Sequence, residues 1–421
     1  MHHFSYSNGQ LHCEGVALDT IANAVGTPVY VYSTATLTRH IQVIESAFSG
    51  MDSLIAFSVK SNGNLAVLKT LSQHGCGADV VSAGELARAV TAGVPAERIV
   101  FSGVGKTREE MRYALDAGIH QFNVESAPEL LALSEVAMQM GKIAPVAIRV
   151  NPDVAAGGHA NISTGKSGDK FGVAWADAPE LYHQIKALPG VDAVGVDVHI
   201  GSQIAELGPM RLAFEKTAEL VRFLRKAGHN LTRIDLGGGL GIPYRESDAP
   251  ASPKDYADMI RDVTEGLDVQ VIVEPGRVIT GNAGVLVSEV LYEKTAPDRT
   301  FLVIDAGMND LLRPALYQAH HEIWPLAEPA ADAEIADYDV VGPICESTDK
   351  FATARRLPRL SDGARVAFLS SGAYGAVLSS QYNARPLVPE VLVDGNQFAI
   401  VRRRPDFEDM IALEQIPDWL S

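Results

Sequence analysis

Short apolar runs alternate with amphipathic segments between residues 27 and 277. Runs rich in Val and Ile that end at turn residues are typical of parallel strands buried on both faces. The predicted strands are Leu54–Val59, Ala78–Val81, Ile99–Ser102, Gln121–Val124, Pro145–Val150, Ala193–His199, Arg233–Leu236 and Val269–Val273. Eight strands separated by helices predict an α/β fold, a (β/α)₈ barrel of the TIM type. An open doubly wound sheet is the alternative, because a strand count cannot show closure.

The segments between these strands carry helix start and stop signals. Amphipathic examples are Leu65–His74, Glu85–Gly93, Arg108–Gly118 and Arg211–Gly228. Three helices open with the pattern of a capping box, at Ser82…Glu85, Thr107…Glu110 and Ser126…Glu129. Several predicted helices end on glycine, which adopts the left-handed backbone conformation without steric cost: Gly75, Gly93, Gly118 and Gly141.

The pattern changes after Gly276. Strand-like runs follow one another without regular helices between them, at Val285–Tyr292, Phe301–Ile304, Asp337–Val341, Arg365–Phe368, Val388–Val393 and Phe398–Arg402. This arrangement predicts a second, mostly antiparallel β domain. We therefore expect a barrel over residues 27–277 and a β domain formed by residues 1–26 together with 278–421.

Composition and charge exclude several classes of protein. Of the 421 residues, 47% are hydrophobic and 21% charged, as in an ordinary globular enzyme, and the formal net charge is −17. Such an acidic chain lacks the positive field that supplies most non-specific affinity for nucleic acids. No run approaches the roughly 20 apolar residues of a membrane-spanning helix. The partner expected is a small molecule, not a nucleic acid or a membrane.

The chain has three cysteines, Cys13, Cys76 and Cys345, far apart in sequence. An odd, scattered set argues against a disulfide framework or a zinc site and favours a reducing compartment. Residues 1–10 carry no secretory signal pattern. We expect a cytoplasmic protein without a metal site.

Chemically unusual residues stand at the ends of four predicted barrel strands. Lys60 follows the first strand, His199 ends the sixth, Gly237-Gly238-Gly239 follows the seventh, and Glu274-Pro-Gly-Arg277 follows the eighth. Catalytic groups of TIM barrels lie at the carboxyl ends of the strands. The strands were located by periodicity alone, so this coincidence indicates an active site.

Each of these residues also has a structural interpretation. A lysine after an apolar run can lose its proton and form a Schiff base with an aldehyde, or it can simply reach solvent. The glycine triplet, Gly276 and Arg277 can hold a phosphate, or the glycines can serve the turns alone. Glu274 follows a buried run and needs a cationic partner, either Arg277 or a protonated pyridine nitrogen. His199 can stack on a ring, act as a base, or be a core histidine bonded to backbone.

The β domain contributes further candidates. Cys345 lies beside acidic residues, and adjacent negative charge keeps a thiol protonated, which suits a proton donor. Arg313, Tyr317 and Tyr374 can bind a carboxylate or phosphate. Cys13 and Cys76 are interpreted as ordinary buried cysteines.

Together these motifs, which run in order over nearly the whole chain, resemble the barrel-type pyridoxal-phosphate decarboxylases that act on diaminopimelate, ornithine and related amino acids. The resemblance implies pyridoxal 5′-phosphate as cofactor and Lys60 as the lysine that binds it covalently. It also implies that His199 stacks on the ring and that Glu274 pairs with the ring nitrogen. The phosphate would be held by Ser202, Gly237, Gly238, Gly239, Gly276 and Arg277, with Asp79, Glu85, Arg149 and Tyr374 supporting the site.

Within this family, the similarity is greatest to the members that act on diaminopimelate. The segments that carry it are Met308–Tyr317, Cys345–Ser347, Asn161–Gly165 and Lys170–Gly172. Glu346 favours diaminopimelate over ornithine, because ornithine-type members usually place Asp directly after the cysteine. One departure is Ser61, since alanine is more usual just after the lysine.

The resemblance implies decarboxylation of meso-2,6-diaminopimelate to lysine and CO₂, the last step of lysine biosynthesis. Cys345, contributed across a homodimer interface, would protonate the α-carbon. Arg277, Arg313, Tyr317 and Tyr374 would bind the substrate carboxylate, and Glu346 its distal ammonium. The alternatives are a sister decarboxylase of ornithine, lysine or carboxynorspermidine, a racemase of the same architecture, and a non-catalytic regulatory homologue.

Overall fold

The computed structural model describes residues 2–154 and 170–420. The chain forms two compact units, one of Leu37–Thr280 and one of Met1–Thr36 with Gly281–Ser421. They are called the barrel unit and the β unit below. The domain boundaries at residues 27 and 277 stay a prediction.

The barrel unit is a closed ring of parallel strands. Its eight strands in the described residues are Ser53–Ser58, Gly77–Val80, Ile99–Phe101, Gln121–Val124, Ala144–Asn151, Val191–Val198, Arg233–Asp235 and Gln270–Val273. The last strand pairs with the first, Val271 opposite Ser53, and this pairing closes the ring. A short strand, Val173–Ala174, adds to the fifth. The predicted barrel is confirmed, and the open sheet is wrong.

Helices precede, connect and follow these strands. They are Thr34–Ala47, Leu65–Gln73, Ala83–Thr91, Arg108–Ala117, Ala127–Met140, Ala178–Ile185, Leu207–Lys226, Pro253–Thr264 and Arg277–Thr280, with 3₁₀ turns at Val59–Ser61 and Ala96–Arg98. The glycines predicted to stop four of them all have positive φ: Gly75, Gly93, Gly118 and Gly141. No helix within residues 2–154 and 170–420 is long and apolar enough to cross a membrane.

The three predicted capping boxes form in two different ways. At Thr107 the box is complete, because the hydroxyl and the Glu110 carboxylate each accept a backbone N–H. Ser82 and Ser126 also cap their helices. However, the Glu85 carboxylate accepts the N–H of Val81, and the Glu129 carboxylate that of Glu125, each one residue before the cap. These two carboxylates therefore fix the backbone just before each helix, at the carboxyl end of the preceding strand.

The β unit is mostly antiparallel. Its described strands are Phe4–Ser7, Gln10–Cys13, Val16–Ala17, Val29–Ser33, Gly284–Ala296, Arg299–Ile304, Ile323–Pro325, Ile335–Val341, Lys350–Pro358, Arg365–Phe368, Glu390–Asp394 and Gln397–Arg402. Two pairings are parallel: Arg299–Ile304 with Ile335–Val341, and Glu390–Asp394 with Val29–Ser33. Short helices are Leu18–Val25, Arg313–Tyr317 and Phe407–Ile411, with 3₁₀ turns at Gly281–Ala283, Ala376–Leu378, Tyr382–Ala384 and Asp418–Leu420. The predicted second domain is confirmed as a mostly antiparallel β structure.

Alternation along the fourth barrel strand separates two environments. Gln121 and Asn123 hydrogen-bond to each other and to Asp235 on the seventh strand, so they point into the barrel. Phe122 points the opposite way and stacks on Phe101 with ring centroids 6.3 Å apart. The strand thus joins an apolar outer layer to a polar interior.

We expect Phe122→Ala to lower the free energy of unfolding by about 3–5 kcal/mol, because it empties a fully buried ring site. Phe223→Ala is the matched control, since that ring is 55% exposed and its loss should change stability by less than about 0.5 kcal/mol. Urea unfolding of both variants gives the comparison. Equal losses of stability in the two variants would contradict the burial of Phe122 against Phe101.

Candidate active site

Lys60 lies in the 3₁₀ turn that directly follows the first barrel strand. Its Nζ is 2.8 Å from Oδ2 of Asp79, which is fully buried on the second strand. The hydroxyl of Ser58 donates to the same oxygen at 2.8 Å. The Lys60 side chain is 35% exposed. The amine is thus oriented by a rigid buried carboxylate and accessible to a ligand.

A second lysine at this end of the barrel has a different environment. Lys106 follows the third strand, and its side chain is only 1% exposed. Its Nζ donates to the carbonyls of Gly103 and Asn123 and to Glu129, at 2.7–2.8 Å. Three acceptors satisfy its three protons, so Lys106 is a structural cation and Lys60 the reactive candidate.

His199 stands at the end of the sixth strand. The Gly238 N–H donates to its Nδ1 at 3.1 Å, which places the ring proton on Nε2. Burial, together with the charges of Arg149 and Lys60, holds the pKa of His199 well below 6.5. A neutral imidazole in this position can stack on an aromatic ring without adding a charge.

The glycine triplet is required by close packing. Gly237 and Gly239 have φ of 62° and 114°, which side chains rarely adopt. A Cβ on Gly238 would lie 2.2 Å from the carbonyl oxygen of Glu274, and one on Gly276 3.0 Å from Ser61. The turn after the seventh strand is therefore pressed against the eighth, and the N–H groups of Gly237 and Gly238 donate to Asp235 and His199.

Arg277, Ser202 and Tyr244 form one polar group. The buried Arg277 donates from Nη1 to the Tyr244 hydroxyl at 2.6 Å and from Nη2 to the Ser202 hydroxyl at 3.1 Å. The structure thus joins two residues predicted to hold a phosphate, and it adds Tyr244, which the sequence had not indicated.

Glu274 belongs to a buried carboxyl cluster, here defined as Asp197, Asp235 and Glu274. One oxygen from each lies within 4.8 Å of the others. Burial, then the negative charges of its neighbours, raises the pKa of each carboxyl group well above its usual range. The cations that act against this on Glu274 are Lys60 and Arg149. Glu274 thus has a strong affinity for a proton.

Glu125 and Arg149 form a buried ion pair beside this cluster. Arg149 Nη1 lies 3.0 Å from Glu125, and its Nε 4.0 Å from Asp197. The guanidinium lies 5.0 Å from the centroid of the Phe171 ring, and the N–H of Gly172 donates to Glu125. The Lys170–Gly172 segment is thereby anchored to the barrel. The other half of that predicted loop motif, Asn161–Gly165, lies outside the described residues.

Glu85 lies close to the Lys60–Asp79 pair. Burial, with a further contribution from Asp79, raises the pKa of Glu85 to about 7, although its bond from Val81 and the charge of Lys60 act in the opposite direction. The sequence indicated Glu85, Asp79 and Arg149 only through the resemblance. Asp197, Asp235 and Glu125 were missed, although each is a charged residue inside an otherwise apolar strand or at its end.

The β unit places its candidates in two environments. Cys345 and Glu346 are exposed; the N–H of Cys345 donates to the Asn383 side chain at 3.3 Å, and the Tyr382 hydroxyl donates to Glu346. Cys13 and Cys76 are buried, as predicted. The exposed thiol is therefore the chemically accessible one.

Arg313 is buried, in contrast to Glu346. Its Nη1 donates to Nε2 of His321, whose Nδ1 donates to the carbonyl of Leu369, at 2.9 and 2.8 Å. Tyr317 is half-buried at the end of the same short helix, and Tyr374 is half-buried with φ of 56°. His321 orients Arg313 and was not indicated by the sequence.

Residues 34–281 match the family model described as pyridoxal-dependent decarboxylase, pyridoxal binding domain. The chain is 48% identical to a diaminopimelate decarboxylase of Zymomonas mobilis and 47% identical to one of Pseudomonas fluorescens, covering 98–99% of this chain and 99% of each relative. A solved diaminopimelate decarboxylase of Helicobacter pylori, complexed with L-lysine, aligns with a TM-score of 0.91 and 40% identity. That alignment covers 94% of this chain and 99% of the other.

We expect Gly238→Ala to lower the melting temperature and to displace the Glu274 backbone, because the added Cβ meets a carbonyl oxygen at 2.2 Å. Gly208→Ala is the control, since a Cβ there meets nothing within 4 Å and φ is not positive. Thermal unfolding of both proteins checks this. A Gly238→Ala variant as stable as Gly208→Ala would show that the turn is not tightly packed.

Proposed function

The chain belongs to the diaminopimelate decarboxylase family of pyridoxal-dependent decarboxylases, and we propose that it converts meso-2,6-diaminopimelate to L-lysine and CO₂, the last step of lysine biosynthesis. The observation that carries this proposal is Lys60, an accessible amine held by buried Asp79 at the carboxyl end of the barrel. The identity to named relatives extends over both units, including the segments predicted to bind substrate.

The barrel residues fit pyridoxal phosphate chemically. Lys60 provides an amine for the aldehyde, and Glu274 a buried carboxyl group for the ring nitrogen. The Gly237–Gly239 turn offers the backbone N–H of the partly exposed Gly239, and Arg277 with Ser202 offers a guanidinium and a hydroxyl. When bound, the cofactor supplies a conjugated ring that accepts the electron pair left on the substrate as CO₂ departs.

The residues around this ring have separable roles in the proposal. Asp79 orients the Lys60 amine and stabilises its charge. The Glu274 carboxylate would accept the N–H of a protonated ring nitrogen, and the neighbouring Asp197 and Asp235 would add negative charge that favours a cationic ring. His199 is neutral, so it packs against an aromatic ring without adding charge. Arg149 and Lys60 provide positive charge that offsets the carboxyl cluster.

The roles of the β unit are proposed from the resemblance, in an assembled homodimer. Cys345 is exposed and donates the proton that replaces the lost carboxyl group. Arg313 and Tyr317, with Tyr374 and with Arg277 of the barrel unit, bind the substrate carboxylate, and Glu346 binds the distal ammonium. The three cysteines of the chain, two in the β unit and Cys76 in the barrel unit, are free, which favours a reducing cytoplasm.

The alternatives differ in what they do with the carboxyl group. A sister decarboxylase would release CO₂ from ornithine, lysine or carboxynorspermidine. A racemase would leave the carboxyl group on the amino acid, and a regulatory homologue would have no need of an accessible Lys60. The named relatives, together with the pairing of Lys60 and Asp79, favour the decarboxylase of diaminopimelate.

With pyridoxal phosphate added, we expect the purified protein to release CO₂ and lysine in equal amounts from meso-diaminopimelate. Little or no CO₂ should come from ornithine or lysine. Trapped CO₂ and chromatographic amino-acid analysis measure both products. CO₂ from ornithine alone would assign a sister activity, and no CO₂ from any of these amino acids would overturn the proposal.

We expect Cys345→Ala to bind pyridoxal phosphate like the unaltered protein and to lose about 100-fold or more in kcat, because the proton donor is absent. Cys345→Ser should recover part of the rate. Ser361→Ala, another exposed side chain of the β unit, is the control. Steady-state kinetics with measured cofactor content separates the two effects. Full turnover by Cys345→Ala would exclude it as the donor.

A further inference from the structure

Asn123 connects two members of the carboxyl cluster. It lies on the fourth barrel strand and is fully buried. Its amide nitrogen lies 3.0 Å from Oδ2 of Asp235, 3.3 Å from Oε1 of Glu274 and 3.1 Å from the hydroxyl of Ser102. Asp235 lies on the seventh strand, and Glu274 and Ser102 directly follow the eighth and the third, so one side chain connects three other strands inside the barrel.

The orientation of this amide follows from its other neighbour. Nε2 of Gln121 donates to Oδ1 of Asn123 at 2.8 Å. The opposite orientation would place an amide nitrogen against an amide nitrogen, and an oxygen against the two carboxylates. The N–H groups of Asn123 therefore face Asp235 and Glu274.

A neutral donor matters here because negative charge is in excess. The ionisable groups that face Asn123 and the cluster are Lys60, Asp79, Glu125, Arg149, Asp197, His199, Asp235, Tyr256 and Glu274. Five of these are carboxyl groups, while Lys60 and Arg149 are the cations and His199 is neutral. Two buried carboxylates that share a neutral amide are each hydrogen-bonded without a further buried charge.

We propose that Asn123 is a positioning residue of the cofactor site: its amide holds the Glu274 carboxyl group beside Asp235, in the orientation that the ring nitrogen requires. This inference rests on the proposed function, since Glu274 acts there on pyridoxal phosphate. Asn123 itself touches neither the Lys60 amine nor the glycine turn in the contacts described. It acts through Glu274.

The proposal distinguishes two substitutions at this position. Asn123→Asp has nearly the same shape but replaces the amide N–H donor by a carboxyl group. The new carboxyl group, Asp235 and Glu274 can then stay hydrogen-bonded only if they share a proton. Like charges raise the pKa of that shared site, so the proton is present at low pH and lost as the pH rises. Asn123→Ala removes the donor and adds no titratable group.

The experiment is the dissociation constant of pyridoxal phosphate, measured by equilibrium dialysis from pH 6 to 9 and expressed relative to the unaltered protein. For Asn123→Asp we expect a ratio near one at pH 6 that rises about tenfold per pH unit once the shared proton is lost. For Asn123→Ala we expect a raised ratio that is the same at every pH. Asn230→Asp, an exposed asparagine of the same unit, should give a ratio of one throughout.

A purely structural role for Asn123 predicts a different result. Both variants would then lose affinity equally at all pH values, or bind normally, and either outcome overturns the proposal. If Asn123→Asp does not fold, Asp235→Asn provides the second test. Asp235 is one of the groups that raise the pKa of Glu274, so its replacement should lower that pKa. The acidic limb of cofactor binding, which is the pH below which the cofactor no longer binds, should then move to lower pH. An unmoved limb overturns the proposal.

The same measurement separates this inference from the proposed function. Failure of the unaltered protein to bind pyridoxal phosphate would contradict the function itself. Normal binding by the unaltered protein, with a pH-independent ratio for Asn123→Asp, would contradict only the role of Asn123.

Discussion

Closure of the parallel barrel is the constraint on which the site depends. Because the eighth strand pairs with the first, the residues that follow all eight strands are brought around one opening. Lys60 and Glu274 are 214 positions apart in sequence, yet they follow neighbouring strands, and the charge of Lys60 partly offsets the rise in the pKa of Glu274. An open sheet would leave these two groups on opposite edges.

A second constraint is the balance of charge inside that ring. Asp79 is paired with Lys60 and Glu125 with Arg149, each at hydrogen-bonding distance. Asp197, Asp235 and Glu274 are buried together, which keeps their proton affinity high. Removing a partner from such a network leaves a buried charge uncompensated, at a cost of about 3–5 kcal/mol. The neutral donors Asn123 and Gln121 hydrogen-bond to Asp235 in this network without adding charge.

The periodicity of the sequence predicted all eight barrel strands to within two residues, because strands buried on both faces are continuous apolar runs. It also placed Lys60, His199 and Glu274 at strand ends. The strand Lys350–Pro358 was missed, since its middle residues are mostly exposed and polar and show no apolar alternation.

The partners inside the site could not be predicted in the same way. Asn123, Asp235 and Tyr244 contact residues far away in sequence, and their pairing depends on how the strands are arranged around the ring. A polar residue inside an apolar strand, such as Asp197, is the signal that indicates such a group. It does not identify the partner.

The most direct test of the central claim is the attachment site of the cofactor. The protein is incubated with pyridoxal phosphate, reduced with borohydride, digested, and its peptides are analysed by mass spectrometry. The account predicts a phosphopyridoxyl group on Lys60, the accessible amine beside Asp79. Labelling of Lys106 or another lysine in its place, or no labelling at all, would contradict it.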